Sequence, residues 1–435
     1  MRAATAARRA ALAILGAVRA GTPFRDALDP AVDGLAERDR RLAYELSAGV
    51  LRRQAQLDRT LELGRADPRL HDVLRLGAYQ LRCLTRVPPH AAVSTSVELA
   101  RETAGEGPAR FVNQALRKVA RDAGGGMRDA STTHPHWLIE RWRARFGNAD
   151  TERLLAWNDT KPALTLQPAR WGVAEVRSAL QEAGIVVEDA PFGAGLRVAS
   201  THPASRIPHP AHLPGFAEGG FVVQDPAHAL VCRFAAIPSG WLVYDACAAP
   251  GGKAVALEAG WGRGEGGARV VAGDARRDRL PRLADTARRA GVAVRCVAAD
   301  LEAAPFAPGR YDAVLVDAPC RATGTIARHP DARWRLTPEL FARAAARQAR
   351  LLAAAAPLVR PDGGLLIYAT CSLEPEENTA VVEDFLSRHP QFLRARPPRN
   401  AAVPAELLTA AGDFQSLPQR HGIDGAYAAR LMRRA

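Results

Sequence analysis

A chain of 435 residues, 47% apolar and 24% charged, is long enough for two or three domains with cores of their own and too apolar to be disordered. Its formal net charge of +13 predicts a polyanionic partner, because contacts from arginine to phosphate supply much of the affinity of any nucleic-acid binder. The six cysteines, Cys83, Cys232, Cys247, Cys296, Cys320 and Cys371, are scattered with no C-x-x-C pair, which argues against a disulfide framework or a bound metal and for reduced thiols in a cytoplasm; no apolar run approaches the roughly 20 residues of a membrane span.

From Met1 to about residue 128 the pattern is helical almost throughout. Leu12 and Leu15 share one face of the N-terminal stretch, which reads as the first helix rather than a targeting peptide. Val93, Ser96, Val97 and Ala100 follow Pro88-Pro89 at helical spacing, and Val112, Ala115, Leu116 and Val119 repeat it. Arg52, Arg53, Arg110, Arg117 and Arg121 fall on the opposite, solvent-facing sides, where their single sign of charge suits an RNA-facing surface. Gly124-Gly125-Gly126 marks a flexible joint. A linker region, 129–160, then carries an amphipathic helix over His134 to Gly147, with Trp137 and Trp142 expected as packing anchors. Residues 161–215 read as a small α/β subdomain, with strand-like Ala163–Leu166 and Leu196–Val198 around a helical piece from Val173 to Ala183.

From Phe216 onward strands alternate with helices: Trp241–Asp245, Arg269–Asp274, Val294–Asp300, Tyr311–Asp317 and Gly364–Thr370, with a helix over Ala342 to Leu358. Apolar runs of this kind belong to a doubly wound parallel sheet, which binds ligands at the carboxyl ends of its strands. The first strand runs into Asp245-Ala-Cys247-Ala248-Ala249-Pro250-Gly251-Gly252-Lys253, a glycine-rich turn where a ligand can approach the backbone closely. The next three strands end in Asp274, Asp300 and Asp317, acids suited to a ribose diol and an adenine amino group, so a nucleoside cofactor is expected, NAD or S-adenosylmethionine. A dehydrogenase would want the G-x-G-x-x-G fingerprint in the turn after the first strand, and that turn does not have it. Only three of the 59 basic residues are lysines, so Lys253 marks a place that wants a compact ammonium.

Cys320 and Cys371 follow the fourth and fifth strands. If those strands are neighbours, both thiols flank one crevice beside the cofactor. Two thiols suit methyl transfer to carbon 5 of cytosine. Addition of a thiolate to carbon 6 makes carbon 5 nucleophilic, and a second thiol can assist release of the product.

The strings DACAAPGGK, DAPCRATGTIARHPDARW and YATCSLEPEEN resemble motifs of the RNA 5-methylcytosine methyltransferases of the Nol1/Nop2/Sun family. LGAYQLRCLTRVPPHAAVSTSVELA and FVNQALRKVAR resemble the helical antitermination factor NusB, and together the likeness covers nearly the whole chain. It implies an α/β, Rossmann-like class I methyltransferase domain over 216–435, an all-α NusB-like RNA-binding domain over 1–128 and the small α/β insert between them. It implies S-adenosylmethionine as cofactor, 16S ribosomal RNA as substrate, a monomer and no metal. Cys371 would be the nucleophile, Cys320 would assist release and Asp317 would lie between cofactor and cytosine. Cys247, Ala248, Ala249, Pro250, Gly251, Gly252, Lys253, Asp274, Asp300 and Asp317 would hold the cofactor. The chain departs from the family pattern at His228, Ala254, Arg321 and Asp424-Gly-Ala-Tyr427. A DNA cytosine-5 methyltransferase would instead attack with Cys320 and leave the N-terminal domain and Thr-Cys-Ser element without a role. A non-catalytic RNA-binding or assembly factor would be expected to lack a thiol or a cofactor acid.

Overall fold

Apolar residues three and four apart in the N-terminal third make helices over Arg2–Arg19, Phe24–Val32, Glu37–Leu61, His71–Cys83, Pro89–Ala104 and Glu106–Arg121. They bury Ile14, Leu46, Leu57, Val73, Leu76, Leu99, Val112 and Leu116 in one core. The computed structural model describes residues 2–63, 67–122, 133–199, 209–261 and 266–435; Gly124–Gly126 lie outside them. The chain forms two compact units, Met1–Lys161 with Ile326–Leu336, and Pro162–Thr325 with Thr337–Ala435. Among the described residues no helix is long and apolar enough to cross a membrane.

In the first unit, the helix expected over His134 to Gly147 spans His136–Asn158 and breaks at Gly147, whose φ of 77° suits glycine. Trp142 is fully buried with its ring edge-on to His134, a packing role as anticipated. Arg110, Arg117 and Arg121 are exposed. Arg52 is not: it is buried and donates to the Ala327 carbonyl at 3.1 Å. Helix periodicity missed this because the covering segment, Ile326–Leu336, comes from far along the chain. That segment is stitched to the helices by the Trp334 indole N–H on the Leu51 carbonyl (2.6 Å) and the Phe24 N–H on the Asp331 carboxylate (3.1 Å). Arg333, also fully buried, donates to Asp159 Oδ1 at 2.8 Å, to the Asn158 carbonyl at 2.8 Å and to the Thr133 carbonyl at 3.2 Å.

The second unit holds two sheets. A small antiparallel one has strands β1 (Leu164–Pro168), β2 (Val187–Asp189), β3 (Leu196–Val198) and β4 (Phe221–Val223), in the order β2-β3-β1-β4. The helix Val173–Glu182 lies between β1 and β2 in the chain and shares their core through Val176 and Leu180, packed with Leu166, Leu196 and Phe221. The larger sheet has β5 (Leu242–Asp245), β6 (Arg269–Asp274), β7 (Arg295–Ala298), β8 (Ala313–Asp317), β9 (Leu365–Thr370), β10 (Phe392–Arg394), β11 (Phe414–Ser416) and β12 (Ala426–Arg433). Its order is β10-β12-β9-β8-β5-β6-β7, with β11 also on β12.

Five strands, β5 to β9, are parallel and match the apolar runs; β10, β11 and β12 are antiparallel additions that were not foreseen. Two of these have only three residues, and β12 is rich in alanine, a weak strand former that gains its place from packing on β9. Every residue of β9 is buried, as expected of a strand covered on both faces. β7 is different: it is the sheet edge, and Arg295, Cys296 and Ala298 are exposed.

Candidate active site

Strands β8 and β9 pair in parallel, with Asp317 opposite Ala369, so the segments leaving them emerge side by side at the carboxyl edge. Cys320 lies three residues beyond the end of one strand and Cys371 directly follows the other. Their sulfurs are 3.2 Å apart in a thiol hydrogen bond, and both residues are half-buried. The hydrogen bond to Cys371, then burial, then the charges of Cys371 and Glu377 push the Cys320 thiol well above its ordinary range. In this contact either sulfur can donate to the other.

The loops carrying the thiols are tied together by groups that were not singled out from the sequence. Gly324 N–H donates to the Cys371 carbonyl (3.0 Å), and Thr323 Oγ1 accepts the Leu373 N–H (2.8 Å). Asn378 accepts from Thr370 Oγ1 (2.6 Å) and donates to the Ser372 carbonyl (2.9 Å). The fully buried Glu377 carboxylate accepts from Ser372 Oγ (2.5 Å), Arg321 N–H (3.0 Å) and Gln348 Nε2 (3.0 Å). Glu377 and Asn378 close the YATCSLEPEEN string, so the signal was present, but a string does not say which acid turns inward.

On the strand next to β8, the turn after β5 is held against β6. Ala248 N–H donates to the Gly273 carbonyl (2.9 Å), and the Asp274 carboxylate accepts from Ala249 N–H (3.3 Å) and Arg276 N–H (2.8 Å). Gly251 has a φ of 105°, open to glycine. A Cβ on Gly252 would meet the Gln224 side-chain amide at 2.8 Å, so that side chain would have to move aside. Pro250 follows Ala249 through a cis peptide, and the helix Gly252–Glu258 begins there. Asp300, beyond the end of the edge strand β7, is exposed and accepts the Glu302 N–H at 3.1 Å.

Lys253 joins this turn to the thiol side. Its ammonium is buried and donates to Asp317 Oδ2 at 2.5 Å and to His228 Nδ1 at 2.9 Å. An ammonium has only donors, so Nδ1 accepts in this contact. Burial pulls the Lys253 ammonium down, but Asp317, with Cys232 and Asp245 in support, outweighs it and raises the group above its ordinary value. Behind the pair, Asp245 is fully buried; burial and then the Asp317 charge push its carboxyl up to about 7. Cys247 is pushed upward by burial and by Asp245, Asp317 and Asp274 together. The turn thus lies among the carboxyls of Asp245, Asp274 and Asp317, with the Lys253 ammonium and the Arg347 charge opposing them. His228 occupies the place where the sequence departs from its family pattern, and nothing in periodicity foretold that it would meet Lys253.

Comparison with known proteins places this geometry. Residues 237–432 match the model of the 16S rRNA methyltransferase RsmB/F family, residues 5–121 the NusB family, and residues 134–205 the RsmF/B-like ferredoxin-like domain. The chain is 35% identical to the probable ribosomal RNA small subunit methyltransferase B of Synechocystis, with 98% of this chain and 99% of that one covered. It is 32% identical to the ribosomal RNA small subunit methyltransferase B of Salmonella paratyphi B, with 98% of each chain covered. Among solved structures it superposes on PH0851 with a TM-score of 0.79 at 25% identity, covering 98% of each chain. It also shares the fold of NSun6 from Pyrococcus horikoshii, with a TM-score of 0.58 at 18% identity over 69% of this chain and 98% of that one. The chain belongs to the RsmB/F family of S-adenosylmethionine-dependent 16S rRNA methyltransferases.

Proposed function

We propose that this methyltransferase acts on carbon 5 of a cytosine in small-subunit ribosomal RNA, through a transient bond between Cys371 and carbon 6 of the base. The observation that carries the reading is the pair of sulfurs 3.2 Å apart at the ends of β8 and β9, with a glycine-rich turn surrounded by acids at the end of the next strand, β5. The protein acts as a cytoplasmic monomer.

The residues around the turn fit S-adenosylmethionine. Asp245, Asp274 and Asp317 outnumber the Lys253 and Arg347 charges that oppose them, which suits a sulfonium, and Gly251 and Gly252 keep side chains out of the space beside the backbone. Residues 247–253 would hold the donor, with Asp274 and Asp300 on its ribose and adenine ends and Asp317 on the side of the base. Bound there, the donor supplies an electrophilic methyl group.

The chain's own residues supply the rest. Cys371 adds as a thiolate to carbon 6, and the electron pair displaced to carbon 5 makes that atom the nucleophile. Asp317, with one oxygen held by Lys253, has its second for the edge of the base. After methylation carbon 5 carries both a methyl group and its original proton. Once the Cys371 sulfur is bonded to carbon 6, its hydrogen bond and charge no longer hold the Cys320 proton; Cys320 gives that proton to solvent and takes the one from carbon 5 as the carbon–sulfur bond breaks and the electron pair returns to Cys371. The net change is one methyl gained and one proton released.

The test is to incubate Cys320→Ala and Cys371→Ala proteins with S-adenosylmethionine and small-subunit ribosomal RNA and resolve protein–RNA adducts on a denaturing gel. Cys320→Ala should accumulate adduct and Cys371→Ala should form none. The opposite pattern would assign the attack to Cys320, as in DNA cytosine-5 methyltransferases. Wild-type turnover with neither variant impaired would leave a non-covalent route.

A further inference from the structure

Two loops that leave different strands keep their sulfurs 3.2 Å apart, yet the thiol hydrogen bond between them is weak and cannot fix that spacing by itself. Something stiffer must hold the loops. A single carboxylate lies on the residue that follows each cysteine. Glu377 Oε1 accepts the N–H of Arg321, next to Cys320, at 3.0 Å, and Oε2 accepts the hydroxyl of Ser372, next to Cys371, at 2.5 Å. Gln348 supports it from a third element, the helix Pro338–Ala355, donating one amide N–H to Glu377 Oε1 and to the Pro319 carbonyl, both at 3.0 Å. Tyr368 of β9 anchors the backbone of Glu377 by donating to its carbonyl at 2.6 Å.

We infer that Glu377 is a positioning residue for the thiol pair: its carboxylate spans the Cys320 and Cys371 loops and sets the separation at which the two sulfurs meet. The inference rests on the two-thiol reading above for its functional meaning, but not for its geometry. The residue is fully buried, and bonds to an ionised acceptor are about twice as strong as neutral ones, so a carboxylate in this place resists the loops drifting apart. Burial raises the Glu377 carboxyl, while Ser372, Arg321 and Gln348 oppose that rise by bonding to the charged form. The charge also acts on Cys320 through space, in the direction that keeps its proton in place. Ser372, Arg321, Gln348 and Tyr368 thus form one scaffold with Glu377 at its centre, and none of the four carries a thiol.

The experiment uses the full-length protein and its Glu377→Gln and Glu377→Ala variants. Sulfur separation is read without RNA or cofactor by treating each protein with diamide, which takes two hydrogens from a pair of thiols, and following the Cys320–Cys371 disulfide by peptide mass mapping. Methyl transfer is then measured as kcat and as KM for RNA and for S-adenosylmethionine. Glu377→Ala should close the disulfide about tenfold more slowly and lose about 100-fold in kcat with both KM values held, the cost of a misplacement near 1 Å. Glu377→Gln keeps the size and one acceptor oxygen but cannot accept from both partners, and should lose about tenfold in kcat and less in disulfide rate. If Glu377→Ala does not fold, the Gln variant decides. Wild-type disulfide rate and kcat in Glu377→Gln or Glu377→Ala would overturn the role. A slowed disulfide in the variants beside a wild-type protein that never methylates RNA would leave Glu377's role standing and sink the reaction instead.

Discussion

Replacing Asp245 by Asn should make the protein relatively more stable as pH rises. Asp245 ends β5 with no exposed surface, and neither carboxylate oxygen meets a donor in good geometry, although the Cys247 N–H points toward them. Burial and then the Asp317 charge lift its carboxyl from an ordinary 3.8 to about 7, against the pull of Lys253. Because the folded value lies above the unfolded one, the contribution to stability is complete below about pH 4 and is lost as pH climbs through 7. Linkage over that interval gives a loss of about 2–3 kcal/mol between about pH 5 and about pH 8. Asn keeps the shape and cannot titrate, at a roughly constant cost of about 1–2 kcal/mol for its own unpaired amide. The variant should therefore trail the wild type at about pH 5 and gain about 2–3 kcal/mol on it by pH 8, which is about 5–10 °C in Tm for a unit of this size. Urea or thermal melts of both proteins at the two pH values give the difference directly, and titrations elsewhere cancel. Parallel stability profiles for the two proteins would refute the placement of a strained acid behind the cofactor turn.

Lys253→Met removes the ammonium from Asp317 and brings two carboxyls together without a counter-charge. With Asp317 side-chain exposure at 30%, the loss should be about 2–3 kcal/mol at neutral pH and smaller near pH 5, measured by urea unfolding. Arg333→Met strands Asp159 and three carbonyls in the first unit, and should cost about 3–5 kcal/mol in the same assay. Gly324→Ala would put a Cβ 2.4 Å from the Gly425 carbonyl oxygen, where only backbone can give way. It should cost about 1–3 kcal/mol and slow methyl transfer, because Gly324 also donates to the Cys371 carbonyl; an unchanged melt would show that the close approach is not real.

The parts of the fold that were legible are those where local pattern and final environment agree. Strands β5, β8 and β9 read as unbroken apolar runs because both faces are covered, and the helical character of the N-terminal third read from residues spaced on one face, as at Val93–Ala100 and Val112–Val119. The illegible parts depend on partners distant in sequence. β12 is an alanine-rich strand sustained by β9, and Arg52 looks like a surface residue until Ala327, 275 positions later, is laid over it. β7 has an apolar sequence but lies at an edge, where burial is decided by what does not follow in the sheet.

The site divides in the same way. Cys320, Cys371, Lys253 and the strand-end acids were legible because their residue types are scarce or recur at strand ends, and each offers chemistry that a neutral packing residue does not. The groups that hold them were not, because positioning is carried by common residues whose meaning lies in direction rather than type. Glu376 and Glu377 are adjacent and chemically identical, yet only Glu377 is fully buried and turned onto Arg321 and Ser372. His228 stands at one of the departures from the family pattern, and what it does depends on a ring nitrogen meeting Lys253 at 2.9 Å. Serine has a shorter reach, so a His228→Ser change would leave that side of the ammonium to water or to a closer approach by the backbone. The thiols suggested the proposed chemistry, while the loops that carry them are joined by a carboxylate and an amide, Glu377 and Gln348, of types common on any surface helix.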